Sequence, residues 1–139
     1  MTGWRIGFLA GDAELVGQAV KVQQYSLACP TSISQYAAIE AYTGDQSSVA
    51  LMKKEYEARR NLLIDGLHGL GIEAAMPEGA FYAFPKLDAE TVAKIVAADV
   101  IITPGTAFGS KGAGFARMSY ATSQKNITEA LHRIEKVVN

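Results

Sequence analysis

The chain has 139 residues, a length that suits one domain with its own core. Its 49% of apolar residues and 19% of charged residues exclude intrinsic disorder. Thirteen basic against fourteen acidic residues give a net charge of −1, so no basic surface indicates binding to nucleic acid or to an anionic membrane. No apolar run reaches the roughly 20 residues of a membrane span, and Met1–Arg5 has no signal-peptide pattern. With Cys29 as the single cysteine, we expect a cytoplasmic protein without an intramolecular disulfide.

The first part of the chain, residues 1–46, predicts one strand followed by two helices. Side chains alternate over Trp4–Leu9 with the period of two that is typical of a strand. Asp12 is a suitable N-cap for a helix over about 13–24, and a second helix is predicted over about 34–42. A lone strand cannot satisfy its backbone hydrogen bonds, so this part is expected to be an incomplete piece of a larger domain. We expect it to be poorly ordered or packed against another copy.

The second part, residues 47–139, predicts an order of helix, two strands, helix, two strands and helix. A helix of about twenty residues starts near Ser47, Asp88 caps the next one, and the last carries an apolar stripe from Ile127 to Val138. The predicted strands are 72–75, 80–84, 100–103 and 115–120. This order favours an α/β fold class, in an α+β arrangement with helices packed on a small sheet, able to fold alone.

Two arginines are the strongest candidates for chemistry. Arg117 lies in a strand that otherwise has the pattern of a half-buried one, where an unpaired charge needs a compensating anion. Arg5 is flanked on its face of the predicted strand by Gly3 and Gly7, which leaves open space for a bulky anion such as a phosphate ester. The planar guanidinium group matches carboxylates and phosphates. The alternative for both is an ordinary ion pair with a nearby acidic residue, or a side chain that reaches the surface.

Other chemistry-bearing residues are weaker candidates. His68 and His132 lie on helices without a second ligand at suitable spacing, so no metal site is expected. The glycines and lysine of 105–111 lack the spacing of a phosphate-binding loop. Cys29 is expected to be a small, buried apolar side chain. Phe81 and its aromatic neighbours Tyr82 and Phe84 are expected to be core and wall residues.

Five segments, in order along the chain, together resemble the C-terminal part of class I/II aminotransferases, the fold-type I enzymes that use pyridoxal phosphate. They are Met1–Phe8, Pro30–Ala38, Pro77–Pro85, Thr103–Gly109 and Phe115–Ala121. The resemblance covers essentially the whole chain. It implies transfer of an amino group between an amino acid and a 2-oxo acid, aspartate aminotransferase being the commonest such enzyme, and a homodimeric protein.

The resemblance also implies roles for three side chains. It matches Arg5 to the arginine that binds the phosphate of pyridoxal phosphate, and Arg117 to the arginine that binds the substrate's α-carboxylate. Phe81 is implied to line the substrate side of the site. Residues 1–46 would close the large cofactor-binding domain, and residues 47–139 would form the small domain that moves over the substrate.

The sequence departs from the family in what it lacks. The lysine that the family joins to the cofactor as a Schiff base lies upstream of the position of Met1, and Lys21 is too far along the next helix to replace it. Because proton transfer at the substrate's α-carbon needs that amine, no catalytic residue is assigned here and we expect an inactive C-terminal fragment. Two alternatives stay open: a fragment of a pyridoxal-phosphate lyase or synthase, and a free-standing, non-catalytic module that binds a carboxylate or a protein.

Overall fold

The computed structural model describes residues 1–138, which form two compact units, one of Met1–Val49 and one that begins at Ala50. The first unit contains a short 3₁₀ helix, Thr2–Trp4, and the helices α1 (Ala13–Ser26) and α2 (Ser32–Thr43). The next helix, α3 (Ser47–Gly69), begins at the end of the first unit and lies mostly in the second. The predicted helices are therefore confirmed.

Local capping explains where the helices of the first unit begin. The Asp12 side chain accepts hydrogen bonds from the backbone N–H groups of Glu14 and Leu15, and Thr31 accepts one from Ser34. Each bond satisfies an amide that the first turn of a helix leaves without a partner. Ser34 is the one buried residue of the first unit among those described.

The predicted strand Trp4–Leu9 is wrong. Thr2–Trp4 is a 3₁₀ helix, Arg5 ends it with φ of 50° in the left-handed region, and no regular structure follows until α1. Within the part of the chain that the structure describes, no strand pairs with this segment. An alternating pattern alone does not make a strand, because a strand needs a neighbour for its hydrogen bonds.

The second unit contains helices and a small antiparallel sheet, which confirms the α/β class. Its further elements are β1 (Tyr82–Ala83), α4 (Ala89–Ala97), β2 (Thr103–Pro104), β3 (Ala116–Ser119) and α5 (Gln124–Val138). The strand order is β1-β3-β2, with β3 in the centre. In register, Tyr82 lies opposite Ser119, and Thr103 lies opposite Arg117.

The hydrophobic core of the second unit lies between the sheet and its helices. It includes the buried side chains Leu63, Ile64, Leu67, Val92, Ile95, Met118, Tyr120, Ile127 and Ile134. The predicted apolar stripe of α5 is confirmed at Ile127 and Ile134, and Asp88 caps α4 by accepting from the N–H of Thr91. At the start of α3, by contrast, the apolar residues Val49 and Met52 are exposed.

The predicted strands of the second unit are longer than the observed ones. Residues 72–75 are not a strand: Ile72 and Ala74 are buried in alternation, but Glu73 only accepts one bond from the Lys86 amide. Of 100–103, only Thr103 enters a strand. The segments 80–84 and 115–120 shorten to β1 and β3, with one bridge between Lys86 and Phe115. Alternation predicts burial here, whereas the extent of pairing depends on distant segments.

Candidate functional site

Arg117 lies in the central strand, and aromatic rings rather than acids surround it. Its carbon Cζ lies 4.6 Å from the centroid of the Tyr82 ring and 4.8 Å from that of the Phe108 ring. Its nearest hydrogen-bond acceptor is the Thr103 hydroxyl, at the long distance of 3.5 Å from Nη2. Across residues 1–138 no carboxylate forms an ion pair with it, although its side chain is half-buried. The guanidinium group can therefore still accept an anionic partner.

Phe81 is held at the end of a turn by the buried residue Tyr120. The Tyr120 amide donates to the Phe81 carbonyl at 3.0 Å, and its hydroxyl donates to the Ala80 carbonyl at 3.1 Å. Ala80 has φ of 59°, a left-handed conformation that costs energy in a residue with a Cβ atom and that these bonds help to maintain. Burial raises the pKa of the Tyr120 hydroxyl, so it stays a donor well into the alkaline range. The half-buried Phe81 ring lies 4.5 Å from that of Tyr82.

Phe108 ends a 3₁₀ helix, Gly105–Phe108, that a close backbone contact fixes in place. A Cβ atom added at Gly105 would overlap the backbone of Gly112 and lie 2.7 Å from the Phe115 carbonyl oxygen. Gly105 also donates its N–H to that oxygen at 2.8 Å. Only glycine permits so close an approach, which places the loop beside β3.

Arg5 is exposed and has a single hydrogen bond from its side chain, in which Nη1 donates to the Thr2 carbonyl at 3.1 Å. It has no ion pair with any carboxylate of the described residues. A broad cavity of about 1040 Å³ in the first unit is lined by residues that include Arg5, Trp4 and Ser34. A Cβ atom at Gly3 or Gly7 would meet nothing within 4 Å. The strand face that was expected to place these glycines on either side of Arg5 is absent, although both glycines line the same cavity as Arg5.

The two histidines and the cysteine, the weaker candidates from the sequence, have no surroundings among the described residues that indicate chemistry. The His68 ring nitrogen Nε2 lies 2.9 Å from the Ala74 carbonyl oxygen, and His132 lies beside Glu135 on α5. Cys29 is exposed, contrary to the expectation of a small buried side chain. In residues 1–138 no group of three or more metal-binding side chains is assembled. In the same range, no helix combines the length and the apolarity needed to cross a bilayer.

The sequence pointed to Arg117 but not to the two rings that contact it. Tyr82 could have been found, since its strand pairs with β3 and it lies diagonally across from Arg117 on one sheet face, within reach of a long side chain. Phe108 could not, because its place depends on the Gly105–Gly112 contact. In the structure Arg117 contacts the Tyr82 ring, which in turn contacts the Phe81 ring.

The family model described as aminotransferase class I and II matches residues 1–134. The chain belongs to this family. It is 42% identical to the aromatic-amino-acid aminotransferase 2 of Thermococcus litoralis and 40% identical to the aspartate aminotransferase of Pyrococcus abyssi, each time over 99% of this chain and 38% of the relative. The crystal structure of an aromatic aminotransferase from Pyrococcus horikoshii OT3 matches 99% of this chain with a TM-score of 0.89 and 38% identity. That match covers 39% of the solved chain. This chain therefore spans under two-fifths of the length of these relatives.

Proposed function

We propose that this chain is the C-terminal part of a pyridoxal-phosphate aminotransferase, which transfers an amino group between an amino acid and a 2-oxo acid. The family match over residues 1–134 supports the reaction class. Because the chain spans 38% of the length of its relatives, we assign the Schiff-base lysine and the partner of the cofactor's ring nitrogen to the rest of the protein. The chain alone is then expected to be inactive.

The observation that carries this proposal is the half-buried Arg117 without a carboxylate partner among the described residues. A half-buried charge of this kind is stabilised when an anion binds to it. The guanidinium fork forms two parallel hydrogen bonds with a carboxylate, which fixes the orientation of the bound molecule as well as its affinity. We propose that Arg117 binds the α-carboxylate of the substrate and that Phe81 lines the same side of the site.

The first unit is proposed to hold the phosphate of the cofactor through Arg5. The residues fit this group in one respect: the exposed guanidinium lies on an open cavity and has only a backbone carbonyl as its partner. When bound, pyridoxal phosphate supplies an electron sink for reactions at the substrate's α-carbon. The part played by this chain is to bind and orient. In this proposal residues 1–46 are the last part of the large cofactor-binding domain, and residues 47–139 form the small domain.

The names of the relatives include both aspartate and aromatic-amino-acid aminotransferases. An aspartate aminotransferase-like activity is proposed for the whole protein. We assign selection among amino-acid side chains to residues outside this chain, since Arg117 and Arg5 recognise groups that all such substrates and the cofactor share. A homodimer and a cytoplasmic location complete the proposal, and sedimentation of the whole protein tests the first of these.

The test is a chimera in which this chain replaces the matching segment of the Thermococcus litoralis relative. We expect the chimera to transfer an amino group to 2-oxoglutarate, and the variant Arg117→Lys to lose about 10²-fold in kcat/KM, because lysine offers a point charge in place of a planar fork. The matched control is Arg133→Lys, an arginine that pairs with Glu129 on the surface of α5. It should leave the rate unchanged.

Two outcomes would contradict the proposal. One is an Arg117→Lys chimera with the same kcat/KM as the parent chimera. The other is release of ammonia and a 2-oxo acid without any acceptor, which would identify a lyase instead. Turnover by the purified 139-residue chain with added cofactor would contradict the expectation that the chain alone is inactive.

A further inference from the structure

The guanidinium group of Arg117 lies over two aromatic rings that come from different elements. Tyr82 belongs to β1 and Phe108 ends the 3₁₀ helix Gly105–Phe108, and both ring centroids lie within 5 Å of Cζ, at 4.6 and 4.8 Å. Both rings are partly exposed, 38% for Tyr82 and 52% for Phe108. Core packing therefore does not account fully for two large aromatic side chains at these positions.

Each of the two rings is supported by further rings. Tyr82 lies 4.5 Å from Phe81, and Phe108 lies 6.2 Å from Phe84 in an edge-to-face arrangement. Phe84 in turn stacks on Phe115 at 5.4 Å with an angle of 9° between the ring planes. Contacts of this kind restrict how far each ring can turn. Arg117 therefore meets two rings whose own positions are constrained.

Contact with a ring determines which part of the guanidinium group remains available. A cation over an aromatic ring presents its face to the π system, and the five N–H donors of arginine point outward in its plane. The donors at the edge are therefore left to bind a ligand. A free arginine side chain has many rotamers, and ordering it on binding lowers affinity, whereas a side chain already held in place loses less.

We propose that Tyr82 and Phe108 are positioning residues that hold Arg117 with its edge ready for a carboxylate. The inference rests on the proposed function, in which this carboxylate is the α-carboxylate of the substrate. Both residues act through Arg117 and neither needs to touch the substrate. An aromatic ring, rather than a hydroxyl group or mere bulk, is what each position requires.

The experiment follows the side-chain Nε–H signal of Arg117 by NMR in the full 139-residue chain, with acetate as the probe and chloride at equal ionic strength as the control. Arg117→Lys assigns the signal. The test variants are Tyr82→Leu and Phe108→Leu, and Tyr82→Phe keeps the ring without the hydroxyl group. Val96→Ala is the matched control, because Val96 is also a partly exposed apolar side chain of the second unit, at 46%, but lies on α4 and not among the rings around Arg117.

We expect the Arg117 signal of the unmodified chain to show an upfield ring-current shift and to move as acetate is added. Each leucine variant should lose part of that shift and bind acetate about two- to fivefold more weakly, the factor that corresponds to one exposed cation–π contact. Tyr82→Phe and Val96→Ala should behave as the unmodified chain does. Since both test positions are partly exposed, the leucine variants are expected to fold, which circular dichroism checks.

The outcomes separate this inference from the proposed function. Leucine variants with an unchanged Arg117 signal and unchanged acetate affinity would overturn the positioning role, whatever Arg117 binds. Equal weakening in Val96→Ala would overturn it as well, since the effect would then be a general loss of packing. An Arg117 signal that acetate never moves would count against the carboxylate role of the proposed function, while its ring-current shift would still decide whether the two rings position the side chain.

Discussion

Both units of this chain contain large apolar side chains, but the second unit buries many of them whereas the first leaves them exposed. All the buried apolar side chains of the described core lie between Leu63 and Ile134, in the second unit. In the first unit the only buried residue among those described is Ser34, and large side chains such as Tyr25 and Tyr36 are exposed, at 94% and 76%. Helices are present in both units.

The difference shows that helix formation and core formation are separate outcomes of the sequence. The helices α1 and α2 begin where Asp12 and Thr31 cap them, which is a local effect. Burial requires partners that are distant in sequence, and the second unit has them in its sheet and in α4 and α5. That the first unit needs a covering partner stays a prediction, and so does independent folding of the second.

The largest expected effect comes from the same substitution made in both units. Ile64→Ala removes a side chain that is 0% exposed and should lower the free energy of unfolding by about 2–5 kcal/mol, through lost burial and the cavity left behind. Ile33→Ala, on the exposed side of α2, should change it by less than about 0.5 kcal/mol. Urea denaturation followed by circular dichroism measures both. Equal effects would contradict the conclusion that only the second unit buries its apolar side chains in a core.

The next effect concerns the loop that carries Phe108. Gly105→Ala places a methyl group against the backbone of Gly112 and Phe115. Because backbone atoms cannot turn aside as a flexible side chain can, the substitution should lower the free energy of unfolding by about 1–3 kcal/mol. Gly79→Ala is the matched control, because a Cβ atom there meets nothing within 4 Å. Thermal denaturation of both variants checks the prediction. Similar melting temperatures for the two would refute the close backbone approach.

A third prediction concerns alkaline pH and the buried Tyr120. The unfolded chain ionises a tyrosine near pH 10, whereas burial raises the pKa of Tyr120 in the folded state. Its stabilising effect is therefore complete below about pH 10 and is lost as the pH rises through the folded-state pKa. Tyr120→Phe should cost about 1 kcal/mol at neutral pH, through the lost bond to Ala80. Its melting temperature should also fall less between pH 9 and 11 than that of the unmodified chain, and parallel profiles would contradict the assignment.

The smallest effect is expected at the one buried residue of the first unit. The Ser34 hydroxyl donates to the Trp4 carbonyl at 2.8 Å and lies 2.9 Å from the Thr31 hydroxyl. Ser34→Ala should cost about 0.5–1 kcal/mol, because the hydroxyl loses two hydrogen bonds whose other partners, Trp4 and Thr31, are exposed and can bind water instead. Hydrogen exchange of the amides in residues 1–12 should become faster, while Ser48→Ala leaves it unchanged. Unchanged exchange in Ser34→Ala would show that this bond does not order the segment.

The sequence predicted the helices well because their signals are local. Asp12 and Asp88 are N-caps as expected, and the stripe of α5 faces the core. The strands were harder, since Trp4–Leu9 has a strand pattern and no neighbour to pair with among the described residues. Pairing is decided by contacts between distant segments, which a single sequence does not display.

The charged residue of the candidate site could be predicted from the sequence, but the aromatic residues around it could not be predicted as well. Arg117 was expected in a strand and lies in one, because an arginine between apolar residues is visible in the sequence. Its aromatic neighbours depend on strand register for Tyr82 and on a backbone contact for Phe108. The roles of Arg5, Arg117 and Phe81 stay proposals that the chimera tests.

The glycine contact beside β3 has a consequence for how this site can change. Gly105 and Gly112 anchor the loop through main-chain atoms, so its attachment does not depend on the identity of the side chain at its tip. Evolution or laboratory selection can therefore change the residue at position 108, and with it the contact to Arg117, while the backbone contact that holds the loop is kept. In a saturation library scored for folding rather than for binding, position 108 should accept many residues, whereas positions 105 and 112 should accept glycine alone.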